Sequence, residues 1–245
     1  IFQEVDFYVN LSSYYKDPSE STYREIDVVA MNSVCDIDNI SFDVRFIVEC
    51  KYSQDKPWIL FQSNSDFELG KHFEILRRFG SRYGDVALSE ISGNEGAQNN
   101  FLFALTKEMG YGLTRAFENA NDMTYKATTS VLKATQYFVT QFDSINKDSF
   151  LGYIAIAFPI IVIDSQLFNC KLNKNNEIEI VESDMGYLLV RNEEYGSYDS
   201  IITIVTLKSF SKYVRNLKKG CDELKTIIEN STPSLHSMIK RINRS

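Results

Sequence analysis

The chain has 245 residues, 44% of them hydrophobic and 24% charged, and a formal net charge of −7. That length suits one large domain, or one domain carrying a sizeable insertion, and can bury a full core without staples. An acidic chain does not draw nucleic acid through its overall field, so such binding would need a local basic patch, a metal or a partner.

Residues 2–11 alternate in part, with Phe2, Val5, Phe7, Val9 and Leu11 apolar, which predicts a first strand. The polar stretch 15–21, with Pro18 and several serines, reads as a hairpin loop. Residues 24–31 and 44–52 read as two further strands separated by a polar turn at 35–41, so the first fifty residues predict an antiparallel three-strand meander. Residues 63–121 change character. Glycines recur at 70, 80, 84, 93, 96, 110 and 112, and short helical stretches are expected at 73–79 and 100–108, so the segment reads as a helical insertion.

The clearest helix is expected at 124–142, where Ala127, Val131, Ala134, Phe138 and Phe142 form an apolar stripe. Strands follow at 154–163, 167–172, 177–182, 187–191 and 200–206. A last amphipathic helix is expected at 208–230, with Phe210, Tyr213, Val214, Leu217, Cys221, Leu224 and Ile228 inward, before a basic, frayed tail. The expected class is α/β, an α+β mixed sheet in a single domain.

Several chemistries are disfavoured. Cys35, Cys50, Cys170 and Cys221 form no CxxC pair and read as reduced thiols of a cytoplasmic protein. Three Asn-x-Ser/Thr matches, at Asn10, Asn39 and Asn230, read as chance. The histidines, His72 and His236, are far apart, and no phosphate-binding Gly-rich loop with Lys-Ser/Thr occurs. No signal peptide and no membrane-spanning apolar run is visible.

Two strands carry charges inside apolar runs. Asp27 sits in Glu25-Ile26-Asp27-Val28-Val29, where strand alternation gives Glu25, Asp27 and Val29 one face. Glu49-Cys50-Lys51 ends the apolar run Phe46-Ile47-Val48, with Glu49 and Lys51 on one face and Cys50 turned toward the core. Burying a bare carboxylate is costly unless a cation or hydrogen bonds compensate. If the strands pair, Asp27 lies beside Glu49. Two carboxylates then hold a hard cation such as Mg²⁺ or Mn²⁺, and Lys51 can orient a water or stabilise transition-state charge. The plain alternative is an exposed Glu49–Lys51 pair, with Asp27 capping a turn.

Arg24-Glu25-Ile26-Asp27-Val28-Val29-Ala30 followed by Phe46-Ile47-Val48-Glu49-Cys50-Lys51 resembles the PD-(D/E)XK nuclease superfamily, the restriction-endonuclease-like fold. The resemblance implies Asp27 and Glu49 as metal ligands, Lys51 as the catalytic lysine and the Cys50 backbone carbonyl as a further ligand. It covers residues 2–52 well, and the helix at 124–142 and the strand near 160 as topology. The family core begins with a helix, which the resemblance places upstream of Ile1. Accessory candidates are Glu4 on the first strand, Glu25, and Lys133 and Gln136 on the polar side of the long helix. Trp58, Tyr52 and Phe61 could stack on a base, although core packing is the commoner fate of such residues.

The implied activity is metal-dependent hydrolysis of phosphodiesters, of DNA first, in a defence or restriction-like setting. The implied partners are nucleic acid, no membrane, and a homodimer or partner protein, since cutting two strands needs two sites. The rivals are a nuclease-fold binding or assembly module that does not cut, and a structural α+β domain whose strand charges are incidental.

Overall fold

A computed structural model describes residues 1–17, 19–20, 22–37, 40–53, 56–64, 77–80, 84, 88–89, 91–104, 108–117, 123–140, 152–191 and 199–242. Strands β1 (Tyr8–Lys16), β2 (Tyr23–Ile37) and β3 (Ile40–Tyr52) form the expected antiparallel meander. Helix α2 (Met123–Thr140) precedes β7 (Gly152–Asp164), which runs parallel to β3 along its whole length. β11 (Ser200–Thr206) adds in parallel to the far end of β7, and helix α3 (Leu207–Ile242) follows it directly. β4 (Trp58–Asn64), β6 (Glu108–Arg115), β8 (Leu167–Leu172), β9 (Ile178–Ser183) and β10 (Met185–Val190) extend the same mixed sheet. The architecture is mixed α/β, a large mixed sheet with few helices among the described residues.

The order of the sheet is β1-β2-β3-β7-β11-β10-β6-β4-β8-β9, with the short β5 (Arg77–Gly80) on β7. β5 pairs with residues 154–157 of β7 and β11 with residues 160–163. Pro159, which has no N–H to donate, sits in the gap where one neighbour hands over to the other.

Each face of the sheet is covered by one long helix. Phe42, Val44, Phe46 and Val48 of β3 pack with Phe210, Val214 and Leu217 of α3. Ile47 of β3, with Trp58, Leu60, Ile161 and Ile163, packs against Ala127, Val131 and Ala134 of α2. The strand alternation therefore sends even-numbered β3 residues to α3 and odd-numbered ones to α2. A side chain such as Ile47, fully buried, contributes about 1.5–3 kcal/mol through removal from water. Among the described residues no helix is long and apolar enough to cross a membrane.

Four expectations change. The segment expected to open the first strand is a 3₁₀ turn at Gln3–Val5, ending in a left-handed Asp6, and β1 runs on to Lys16 instead. Among the described residues of 63–121, strands stand at the ends of both stretches expected to be helical. Arg77–Gly80 is a strand because β7 offers a free edge there, and Glu108 opens β6; residues 73–76 and 105–107 lie outside the described set. The helical part includes α1 (Glu95–Gln98), capped by the Asn94 side chain, and the turn after it is anchored by Asn100, which donates to the Gly220 carbonyl of α3 at 2.9 Å. Finally, the last helix continues past residue 230 to Ile242, so the tail to that point is helical.

Candidate metal centre at the parting of two strands

The β2–β3 ladder supplies the site by stopping. Its last pair in this direction is Val28↔Val48. Continued, it would next make the hydrogen-bonded pair of Ile26 with Cys50. Instead the Asp27 carboxylate accepts the Cys50 backbone N–H at 2.6 Å. Asp27 thus substitutes for a strand neighbour and ties β2 to β3 as they separate. Because the N–H and C=O of one strand residue point to the same edge, the Cys50 carbonyl faces the same opening.

A second irregularity coincides with Asp27. The β1–β2 pairs Leu11↔Val28 and Ser13↔Ile26 flank Ser12, whose φ is +50°. A left-handed serine is unusual and twists the strand locally. Above this point Val28 and Ala30 pack on the α3 side; below it Tyr15 and Ile26 pack on the α2 side. Both strands therefore exchange faces at Ser12 and Asp27. Glu25 consequently does not share a face with the site. It is exposed, between the α2-facing Arg24 and Ile26.

Glu49 projects from β3 toward α2 and is buried, 6% exposed. Its Oε1 accepts from Lys51 Nζ at 2.5 Å and its Oε2 from Ser130 Oγ of α2 at 3.1 Å. Burial raises the Glu49 carboxyl above the ordinary glutamate value; Lys51 and Ser130 counteract, while the Asp27 charge raises it further. Lys51 is half-buried beside Glu49, as expected. Cys50, expected to point into the core, is exposed, because its side of β3 extends past the cover of α3.

Next to this opening lies a buried charge cluster that the sequence did not announce. Asp17, at the end of β1, is 0% exposed. Its Oδ2 accepts from Lys133 Nζ of α2 at 2.8 Å and from Arg24 Nε of β2 at 2.6 Å. Its Oδ1 accepts from the Ser19 hydroxyl at 2.7 Å and backbone N–H at 2.9 Å. Burial acts to raise the Asp17 pKa, but the bonds from Lys133, Ser19 and Arg24 outweigh it and hold the carboxyl well below the usual range. Lys133 therefore locks the β1–β2 hairpin to α2. Tyr15, fully buried nearby, donates its hydroxyl to the Ser130 carbonyl at 3.3 Å.

The other candidates stand apart. Glu4 is exposed on the 3₁₀ turn beside Phe2, which packs in the α3-side core. Gln136 is half-buried one turn beyond Lys133 on α2. Trp58 is fully buried in the α2-side core, so it is a packing residue; Tyr52 is exposed, and the half-buried Phe61 rests against Tyr111 with ring centroids 6.4 Å apart.

Among the described residues no group of three or more His, Cys, Asp and Glu side chains gathers to hold a metal. The donors at the opening are two carboxylates and the Cys50 carbonyl. Mg²⁺ commonly binds through one or two carboxylates, keeping waters and substrate oxygens as its other ligands. A buried Glu49 carboxylate, the Asp27 carboxylate and the Cys50 carbonyl at one opening are oxygen donors of the kind such a cation takes. The chain matches no protein-family profile, no curated protein and no solved structure.

Proposed function

We propose that this chain is a metal-dependent nuclease with a restriction-endonuclease-like core, hydrolysing phosphodiester bonds, of DNA in the first instance. One observation carries the reading: Asp27 takes the Cys50 N–H where the β2–β3 ladder stops, which brings Asp27, Glu49, Lys51 and the Cys50 carbonyl to one opening. The order of meander, helix and parallel strand around that opening is what the resemblance to PD-(D/E)XK nucleases implies, and supports it.

Asp27, Glu49 and the Cys50 carbonyl would hold the cation. A bound Mg²⁺ or Mn²⁺ supplies Lewis-acid polarisation of the phosphodiester and a more acidic coordinated water. Lys51 places an ammonium beside that set, where it can orient the attacking water or balance charge on the phosphorane. Ser130 orients Glu49 from α2, and the hairpin lock through Asp17 and Lys133 fixes α2 against β1 and β2. The test is cleavage of supercoiled plasmid with Mg²⁺, with and without EDTA, by wild type and Lys51→Ala. Equal cleavage by both proteins would sink the role of Lys51.

A second reading has its own observation. Both Glu49 oxygens are already bonded, by Lys51 and Ser130, which satisfies a buried carboxylate without metal. In that reading the chain binds or assembles without cutting. Titration calorimetry with Mn²⁺ separates the two: no uptake favours the inactive module.

A further inference from the structure

A second feature lies on the α2 side of the sheet, away from the carboxylates. β6 and β10 are paired in parallel at a single position, Leu188↔Gly110. That contact needs the glycine, since a Cβ at residue 110 would stand 2.3 Å from Leu60 Cδ1 and 2.9 Å from the Tyr187 carbonyl oxygen. Beyond it the strands part and a cleft of about 530 Å³ opens between them, closed on one side by the first turns of α2. Ligand pockets commonly measure roughly 300–1,000 Å³.

The walls of this cleft combine aromatic faces with polar edges. Tyr111 of β6 and Tyr125 of α2 line it and are 67% and 65% exposed, too open to be core residues. Tyr111 is braced from behind by Phe61, in a tilted ring contact. Ser63, Thr128 and the exposed Arg191 complete the rim, and edge backbone of both strands borders the opening. The same helix carries Tyr125 and Ser130, the residue bonded to Glu49. They stand five positions apart, about 7.5 Å along the axis.

We propose that this cleft is a subsite for one nucleobase of a single-stranded or flipped nucleotide, stacked on Tyr111 and Tyr125, on the same side of the sheet as Glu49. The proposal rests on the nuclease reading for its substrate class. The chemistry suits a base. Aromatic side chains accept any base through its π-face, and backbone groups with small hydroxyls can bond its edge. Arg191, 79% exposed and only loosely paired with Asp199 at 3.8 Å, can turn to a neighbouring phosphate.

The experiment measures binding without cleavage. Fluorescence anisotropy of a fluorescein-labelled 12-nucleotide oligo-dT is recorded in EDTA for wild type, Tyr111→Ala, Tyr125→Ala and Tyr111→Phe. Each alanine variant is expected to bind about 10-fold more weakly, as loss of one stacking contact implies, while Tyr111→Phe binds like wild type. An abasic position walked along the strand should find one site that weakens wild type to the same degree and does not weaken Tyr111→Ala further. Equal affinity of wild type and both alanine variants, or no measurable binding by wild type, overturns the subsite. Absence of plasmid cleavage with the binding pattern intact overturns the nuclease reading alone.

Discussion

Replacing Asp17 by alanine tests how the hairpin is held to α2. Asp17 is fully buried and receives bonds from Lys133, Arg24 and Ser19. Its removal deprives the Lys133 ammonium, 7% exposed, of its carboxylate. Breaking a buried pair from one side costs about 3–5 kcal/mol. Lys133→Met is milder, because Asp17 keeps the Arg24 bond and both Ser19 bonds. The ammonium's bonds to Asp17 and to the Ser19 hydroxyl are lost, and the bond to the charged group alone is worth about 1.5–3 kcal/mol. With an unfolding entropy of roughly 2.1 cal/mol/K per residue, Asp17→Ala should lower Tm by about 6–10 °C in a chain of 245 residues. The assay is urea unfolding with a parallel thermal melt, on both single variants and the double variant. The double variant should cost less than the sum by at least about 1 kcal/mol. An Asp17→Ala variant as stable as Lys133→Met, or strict additivity, would refute the geometry. The pH dependence has a defined sign. The native carboxyl is depressed, so its contribution is complete above the unfolded aspartate pKa of about 3.9 and is lost as pH falls below it. Asp17→Asn should flatten the stability curve in that acid range.

Three other outcomes follow from the opening between β2 and β3. Asp27→Asn keeps an acceptor for the Cys50 N–H, so its metal-free Tm should stay within about 2 °C of wild type, as expected of a change without a broken contact. The same variant should lose the Mg²⁺-induced rise in Tm expected of wild type, a rise equivalent to about 2.7 kcal/mol at a hundredfold excess of metal over Kd, read by thermal shift. Glu49→Gln should stabilise the protein in EDTA at neutral pH. The native Glu49 carboxyl is raised above its ordinary 4.5, so the wild type loses stability as pH climbs from that value through the raised one, and glutamine does not. Urea midpoints at pH 4 and pH 7.5 measure the difference, and a variant less stable than wild type at both would contradict it.

The sequence revealed those parts of the fold whose causes are local. The meander follows from alternating apolar residues and polar turns. Helix α2 follows from the stripe of Ala127, Val131 and Ala134, and β7 from a continuous apolar run. Charges in apolar surroundings marked Asp27, Glu49 and Lys51 in the sequence; the structure ties Lys51 to Glu49 and Asp27 to the Cys50 N–H. What escaped depends on distant partners. Nothing beside Ser12, neither glycine nor proline, signals its left-handed conformation or the exchange of faces at Asp27. Asp17 read as a turn residue because it precedes Pro18, and its cations lie in other elements. Lys133 was picked from the polar side of α2, but its burial was not foreseeable from periodicity. β5 and β6 were hidden because short glycine-containing strands gain their stability from the edges they meet rather than from their own composition.

The distribution of charge decides how such a protein would meet its substrate. Arg24 and Lys133 both point at Asp17, Arg24 also at Glu20, and Lys51 at Glu49. These cations balance carboxylates of the chain itself. In a chain of net charge −7 they supply little surplus attraction for phosphate. Attraction at the opening would then come from the cation held by Asp27 and Glu49, and attraction at the cleft from stacking, with Arg191, itself 3.8 Å from Asp199, as the nearby charge. Each phosphate neutralised on a single strand gives a slope of about −0.7 in log affinity against log salt. One or two contacts therefore predict a slope between about −0.7 and −1.4 in EDTA. Oligonucleotide affinity measured from 50 to 300 mM NaCl tests this. A slope steeper than about −4 would mean that an extended basic surface binds the strand, and that stacking is not the dominant force.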